Sequence, residues 1–282
     1  MSWTLESVGR NSMREALLRS GYEILPFKGT YEKVLEFVPT SVRLTVTASP
    51  AKGIDATVDL STRLAKAGYD AAPHLSARLI ADAHELDDIL ARLNESGVKS
   101  LFVVGGDGAP RGEFSEAIQL LRQIRASRTP FADIGIGGYP EGHALIPRKH
   151  LEAAMLDKAP LADHITTQMC FDPGHISSWA KELSEHGVNL PIRVGIPGAV
   201  SRQKLLRISS TIGIGESAKF LKKQKNLFWR FLLPGGFKAD KLMRQLHADR
   251  HRHANLDGFH VFTFNELEAT ERWRRSLIDR LS

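Results

Sequence analysis

Phe131-Ala132-Asp133-Ile134-Gly135-Ile136, continued directly by Gly137-Gly138-Tyr139-Pro140-Glu141-Gly142-His143, is the stretch on which the fold turns. The apolar run reads as a short buried strand, and small residues at a strand's end let another backbone or a flat ligand approach closely. A ring hydroxyl, a chain-stiffening proline, a carboxylate and an imidazole follow at once. Alone, this is a strand-to-helix turn with ordinary polar decoration. Polar groups gathered where a strand exits are also what a site on an α/β barrel needs, so the rest of the chain must decide.

Toward the N-terminus the same alternation repeats. Residues Ser12 to Arg19 read as a leading helix, Tyr22-Glu23-Ile24-Leu25-Pro26 as a strand, Tyr31 to Val38 as a helix and Val42 to Thr47 as a β-branched strand. Asp55 to Gly68 is an amphipathic helix closed by glycine, and Ala71 to Leu75 is extended because Pro73 biases Ala72 away from helix. A helix from Ala83 to Asn94 leads to the strand Lys99 to Val104, which ends in Gly105-Gly106-Asp107-Gly108, and Phe114 to Ile124 is helical.

Toward the C-terminus come a helix from Lys149 to Leu156, a strand from His164 to Cys170, a helix from Ile176 to Glu185 and a strand from Pro191 to Ile196. Two or three helices interrupted by Leu233-Pro234-Gly235-Gly236 are expected between Ser201 and Asp249. A strand from Phe259 to Phe264 and a helix from Glu266 to Leu281 close the chain. Strands alternating with helices argue a parallel sheet, and eight of them favour closure into a single (β/α)₈ barrel over residues 1–282, with extra helices before the last strand. No Gly-x-Gly-x-x-Gly opens a helix after the first strand, which weakens the doubly wound dinucleotide fold.

Composition excludes other classes. Hydrophobic residues at 42% and charged residues at 25% describe an ordinary globular chain rather than a disordered one. The net charge of +6 is scattered, with short clusters at Lys222-Lys223-Gln224-Lys225 and Arg250-His251-Arg252-His253. It suits an anionic small molecule, and without a recognised module it does not support nucleic-acid binding. No apolar run reaches the ~20 residues of a membrane helix, no signal-peptide core opens the chain, and one cysteine, Cys170, fits a reducing cytoplasm. A cytoplasmic protein with no membrane partner is expected.

In a barrel of this kind the carboxyl ends of the strands share one mouth. Collected in order, the polar residues there are Glu23, Thr47, His74, Asp107, Tyr139 with His143, and Gln168, with the Phe264 region closing the ring. Each has an ordinary reading: Thr47 as a strand residue, His74 as a satisfied core histidine, Asp107 as a turn former between glycines. A polar residue at nearly every strand end is harder to assign to chance. No His-x-x-x-His or cysteine pair stands at metal-ligand spacing, no Gly-x-Ser-x-Gly elbow is present, and Cys170 between Met169 and Phe171 reads as a buried thiol.

The chain resembles the methylenetetrahydrofolate reductase family, in its catalytic flavin barrel. The resemblance rests on Tyr22-Glu23-Ile24-Leu25-Pro26, Ala72-Pro73-His74-Leu75, Gly106-Asp107, Tyr139-Pro140-Glu141-Gly142-His143, Ile165 to Asp172, Ile196-Pro197-Gly198 and Phe259 to Thr263, in family order. It implies an oxidoreductase of one-carbon metabolism and methionine biosynthesis, passing hydride from NADH or NADPH through FAD to a reduced folate. By resemblance Glu23 is the proton donor, an acid whose apolar strand would raise its pKa. Asp107 would lie between flavin and folate, and Gln168 would hold the pterin with a carboxamide that can donate and accept. Thr47, His74, Gly106, Tyr139, His143 and Lys158 would contact the flavin, Lys158 at its diphosphate, and Phe264 would give an apolar folate contact.

The departures concern the flavin. Gly105 stands where the family usually has arginine, and Phe114 where a ring hydroxyl is expected. Each loss could weaken flavin binding by about 1–3 kcal/mol. FAD held weakly, or a flavin-free enzyme using NADH directly, is therefore carried as an alternative, beside a non-catalytic folate- or flavin-binding barrel. The stretch Gly213 to Phe237, expected to supply further folate and nicotinamide contacts, matches poorly. A homo-oligomer stays open, and no effector domain is expected beyond Ser282.

Overall fold

Aliphatic and β-branched runs, separated by amphipathic segments with glycine stops, assemble into eight parallel strands that close on themselves in sequence order. The computed structural model describes residues 13–143, 145–200, 239–249 and 255–281. The strands are β1 (Gly21–Ile24), β2 (Leu44–Val46), β3 (Ala71–Ser76), β4 (Ser100–Val104), β5 (Asp133–Gly138), β6 (His164–Met169), β7 (Ile192–Pro197) and β8 (Leu256–Phe262). The helices are α1 (Thr30–Phe37), α2 (Asp55–Lys66), α3 (Ala83–Glu95), α4 (Ala117–Ala126), α5 (Arg148–Lys158), α6 (Pro173–Glu185), α7 (Ala239–Asp249) and α8 (Leu267–Asp279). This is the α/β TIM barrel expected from the alternation. Residues 13–18 form the leading helical turn. The expected break at Leu233-Pro234-Gly235-Gly236, and the stretch Gly213 to Phe237, lie outside the described residues.

Strand alternation decides which side chains reach the interior. Tyr22 and Ile24 are fully buried toward the helix layer, where Tyr22 Oη donates to Glu271 Oε2 of α8 at 2.7 Å. Glu23 between them therefore faces the barrel interior. Helix starts follow local chemistry: the Asp82 side chain accepts from Glu85 N to cap α3, Glu116 and Gln119 form a capping box on α4, and Asp172 with Pro173 opens α6. Helix α5 is the exception. Among its residues only Met155 is buried, so α5 stands off the barrel and leaves a groove beside it.

Among the boundaries that differ from the sequence reading, two bear on the site. Gly137 and Gly138 belong to β5 rather than to the turn after it. A Cβ on Gly138 would lie 2.6 Å from the Trp179 ring, and one on Gly135 2.3 Å from His164 Nε2. The close approach at these two positions is thus made by the chain's own side chains. The last strand ends at Phe262, and Phe264 and Asn265 adopt left-handed φ of 50° and 60°. Here the Asn265 amide replaces the ladder: Oδ1 accepts from Leu25 N at 2.9 Å, while Nδ2 donates to Leu25 O at 3.0 Å and Thr30 Oγ1 at 2.8 Å.

The amino end of the barrel is sealed by charge. Asp133 Oδ2 accepts from Arg43 Nη1 at 3.0 Å and Oδ1 lies 2.8 Å from His164 Nδ1, while His164 Nε2 meets Arg193 Nη1 at 2.8 Å. Arg43 also reaches Asp70 at 2.9 Å. Burial would raise the Asp133 pKa, but His164, Arg193 and Arg43 override it and hold it at about 2. Burial pushes His164 down, consistent with a neutral ring that donates from Nδ1 and accepts at Nε2.

Candidate active site

The carboxyl ends of the strands open on a cavity of about 1550 Å³. Glu23, Thr47, His74, Gly106, Asp107, Tyr139, His143 and Lys158 all line it, so eight of the ten residues singled out in the sequence are brought together.

At its floor, Glu23 Oε2 lies 3.9 Å from His74 Nε2 of β3 and 3.8 Å from His260 Nε2 of β8. Among the described residues no donor hydrogen-bonds to the Glu23 carboxylate. The apolar setting expected for this acid is replaced by two imidazoles. Burial pulls His74 down to about 4, with the Glu23 charge opposing and His260 adding to the fall. His74 packs on Phe102 at 4.6 Å, and its Nε2 is buried with no hydrogen-bond partner. Thr47 Oγ1, just past β2, is likewise buried and unpartnered. Buried polar atoms are nearly always satisfied; these two orphans, and Glu141 Oε2 as a third, belong to residues that line the one cavity.

The rim is built by loops. Gly106 has φ of 88°, and a Cβ there would sit 1.9 Å from Ser76 Oγ, so the turn demands glycine twice over. Exposed Asp107 follows it, and the loop is strapped down by Arg78, whose Nε donates to Ser115 O and whose Nη1 donates to Gly108 O. Arg78 also lines the cavity; no sequence signal marked it. Burial raises the Tyr139 pKa, helped by the Asp107 charge, and lowers that of His143, opposed by the same charge. The Tyr139 and His143 rings meet edge-on at 5.3 Å. Half-buried Lys158 at the end of α5 is pulled below its usual pKa by burial, and no carboxylate among the described residues pairs with it.

Gln168 and Phe264 stand differently. Gln168 does not line the main cavity: its Nε2 donates to Gly142 O at 2.8 Å. Glu141 returns the link, Oε1 accepting from Phe171 N and Asp172 N at 2.7 Å each, so the β5 and β6 exits are laced together. A register shift between Thr166 and Met169 re-aims this part of β6, with Thr167 Oγ1 accepting from Gly195 N at 2.8 Å and donating to Gln168 O at 2.8 Å. Phe264 lies beyond its strand, on a side cavity of about 200 Å³ that shares Glu23, Thr47 and Phe262 with the main one. Of the two departures, a Cβ on Gly105 would make ordinary contact with Ala117 N at 3.9 Å, whereas Phe114 is buried in the core and does not line the cavity. Among the described residues no group of three metal-ligating side chains forms, and no helix is long and apolar enough to cross a membrane.

A closed parallel barrel with its polar side chains converging at the carboxyl ends of the strands is the architecture of an α/β-barrel enzyme. A family model described as methylenetetrahydrofolate reductase matches residues 27–227, which is most of the chain. The chain belongs to the methylenetetrahydrofolate reductase family. It is 28% identical over 141 residues to methylenetetrahydrofolate reductase 1 of Schizosaccharomyces pombe, covering 46% of this chain and 23% of that protein. It is 28% identical over 137 residues to methylenetetrahydrofolate reductase 2 of Saccharomyces cerevisiae, covering 43% and 22%. The match spans less than a quarter of either relative.

Proposed function

We propose that the chain transfers hydride between NAD(P)H and 5,10-methylenetetrahydrofolate, interconverting it with 5-methyltetrahydrofolate, with FAD as the carrier. The observation that carries this reading is Glu23: a carboxylate at the floor of a large cavity, flanked by imidazoles and with no hydrogen bond among the described residues. The residues present also suit a flavin. His74 Nε2 and Thr47 Oγ1, unpartnered among the described residues, could bond a flat heterocycle, the Gly106 turn lets its backbone approach closely, and Lys158, with no counter-ion among the described residues, could meet a diphosphate.

When bound, FAD would take hydride from the nicotinamide and pass it to the folate. The folate's five-membered ring must open, and its nitrogen leaving group then takes a proton, which Glu23 in its acid form delivers. The Asp107 charge at the rim stabilises the cationic iminium that ring opening creates. Gln168, held by its Nε2 on Gly142 O, keeps Oε1 and one N–H for a heterocycle edge, and Phe264 beside Glu23 offers an apolar contact. A single buried thiol, Cys170, is consistent with work in a reducing cytoplasm.

A second reading, hydride transfer from NADH to folate without flavin, is favoured by one observation: neither Gly105 nor core-buried Phe114 supplies a polar contact at the cavity. An anaerobic absorbance titration separates the two. Bleaching of a bound flavin band by NADH and its return on adding methylenetetrahydrofolate is the expected result. NADH oxidation by folate with no bound flavin selects the second reading, and no folate turnover in either case rejects both.

A further inference from the structure

His260 belongs to no site assignment above, yet it is the nearest titratable group to Glu23. Its side chain is 4% exposed, and its Nε2 stands 3.8 Å from Glu23 Oε2. The ring is fixed from two sides, by Thr45 Oγ1 at 3.4 Å from Nε2 and by Phe262 edge-on at 5.4 Å. From β3, His74 approaches the same carboxylate oxygen at 3.9 Å. Thr45 of β2 pairs beside Glu23 and Thr47 just past that strand lines the cavity with it, so Glu23 faces two imidazoles and no second carboxylate among the described residues. The imidazoles are not equivalent. His74 lines the cavity and is open to a ligand; His260 does not line it and lies behind Glu23.

The chemistry gives this asymmetry a use. In the reducing direction hydride from the nicotinamide ends on the methylene carbon, the carbon–nitrogen bond breaks, and a proton ends on the freed nitrogen. Glu23 loses that proton once per turnover, so the acid form must be held until transfer and restored afterwards from solvent. A carboxylate whose oxygen is covered by ligand on the cavity side needs a partner on the other side. The 3.8 Å gap to His260 Nε2 exceeds the long end of the hydrogen-bond range by about 0.6 Å, a distance that carboxylate rotation can shorten.

We propose, resting on the proton-donor reading of Glu23, that His260 is its positioning residue: Nε2 holds the carboxylate in orientation from behind and shares the transferable proton with it. A merely structural histidine, satisfied by Thr45, would predict otherwise, and His260→Gln distinguishes them because glutamine can still reach Thr45. Folate turnover by His260→Gln should fall roughly 10²-fold in kcat, with the folate KM little changed and the alkaline limb of the pH–rate profile displaced. An unchanged kcat and limb in the folded variant would overturn the proposal. Nitrogen-15 NMR of the resting protein at one fixed pH gives a second arm: the His260 ring-nitrogen resonances should move in Glu23→Gln relative to the parent protein. Unmoved resonances would also overturn it. Absence of folate turnover in the parent protein sinks the functional reading instead, and the NMR arm then decides this inference alone.

Discussion

The two ends of the barrel hold similar residues in opposite states. At the amino end Arg43, Asp133, His164 and Arg193 are interlocked at 2.8 to 3.0 Å. At the carboxyl end His74 Nε2 and Thr47 Oγ1 have no partner, the Glu23 carboxylate accepts no hydrogen bond and Lys158 has no counter-ion among the described residues. Paired charges inside a protein hold a structure together; unpaired ones carry a desolvation penalty that only a ligand relieves. One end is finished by folding, the other by binding.

Mutation should therefore separate the ends. The largest effect is expected at the mouth, where Glu23→Gln keeps the shape and removes the proton. Folate turnover should fall about 10³-fold, with the unfolding midpoint in urea unchanged. Residual turnover within tenfold of the parent would remove Glu23 from the chemistry. At the amino end the signature reverses. Asp133→Ala leaves two guanidinium groups and an imidazole without their acceptor and should lower stability by about 3 kcal/mol, read from urea denaturation, while the folded fraction keeps its turnover.

Acid should weaken the fold in two windows, an upper one set by buried histidines at both ends and a lower one set by Asp133 at the amino end. His74 is held at about 4 against an ordinary 6.5. Its folded pKa is depressed, so the unfolded chain takes up the proton first, and stability is lost as pH falls from 6.5 to about 4. Buried His164 adds to this window in the same direction. Asp133, held at about 2 against 3.8, contributes stability present above pH 3.8 and lost as pH falls through 2. His74→Asn should flatten the upper window by up to about 3 kcal/mol and leave the lower untouched. Equal slopes for parent and variant between pH 6.5 and 4 would show that the imidazole is not the cause.

Much of the mouth was legible because strand-end position and residue type coincide: Glu23, His74 and Tyr139 each stand where a parallel strand of ordinary length must exit. The unread parts depend on contacts distant in sequence. His260 has an apolar run on both sides and looks like core until β1 closes beside β8. Arg78 matters only because the Asp107 loop folds back over it, and Gln168 is aimed by a bulge that no periodicity announces. Phe264 was placed inside β8 because the run Phe262-Thr263-Phe264 alternates like a strand, whereas the Asn265 amide ends the pairing two residues earlier. The charged amino end stays unread for a related reason. Asp133, His164 and Arg193 lie in three different strands and Arg43 just before a fourth, and each looks like an isolated polar residue at a strand start.

Lys158 gives the smallest expected effect and the finest test of the contrast. A lysine ammonium kept partly from water without a counter-ion should destabilise the free protein, so its removal should relieve the fold even as it weakens the ligand. Lys158→Met retains the unbranched stem and removes the charge. The urea midpoint should stay the same or rise, while FAD affinity, read by quenching of flavin fluorescence, should fall about tenfold, in keeping with the loss of one charged hydrogen bond of about 1.4 kcal/mol. The opposite pair of results, a lower midpoint with unchanged flavin affinity, would class Lys158 with the amino-end charges: a residue completed by folding, with a partner supplied by the chain itself.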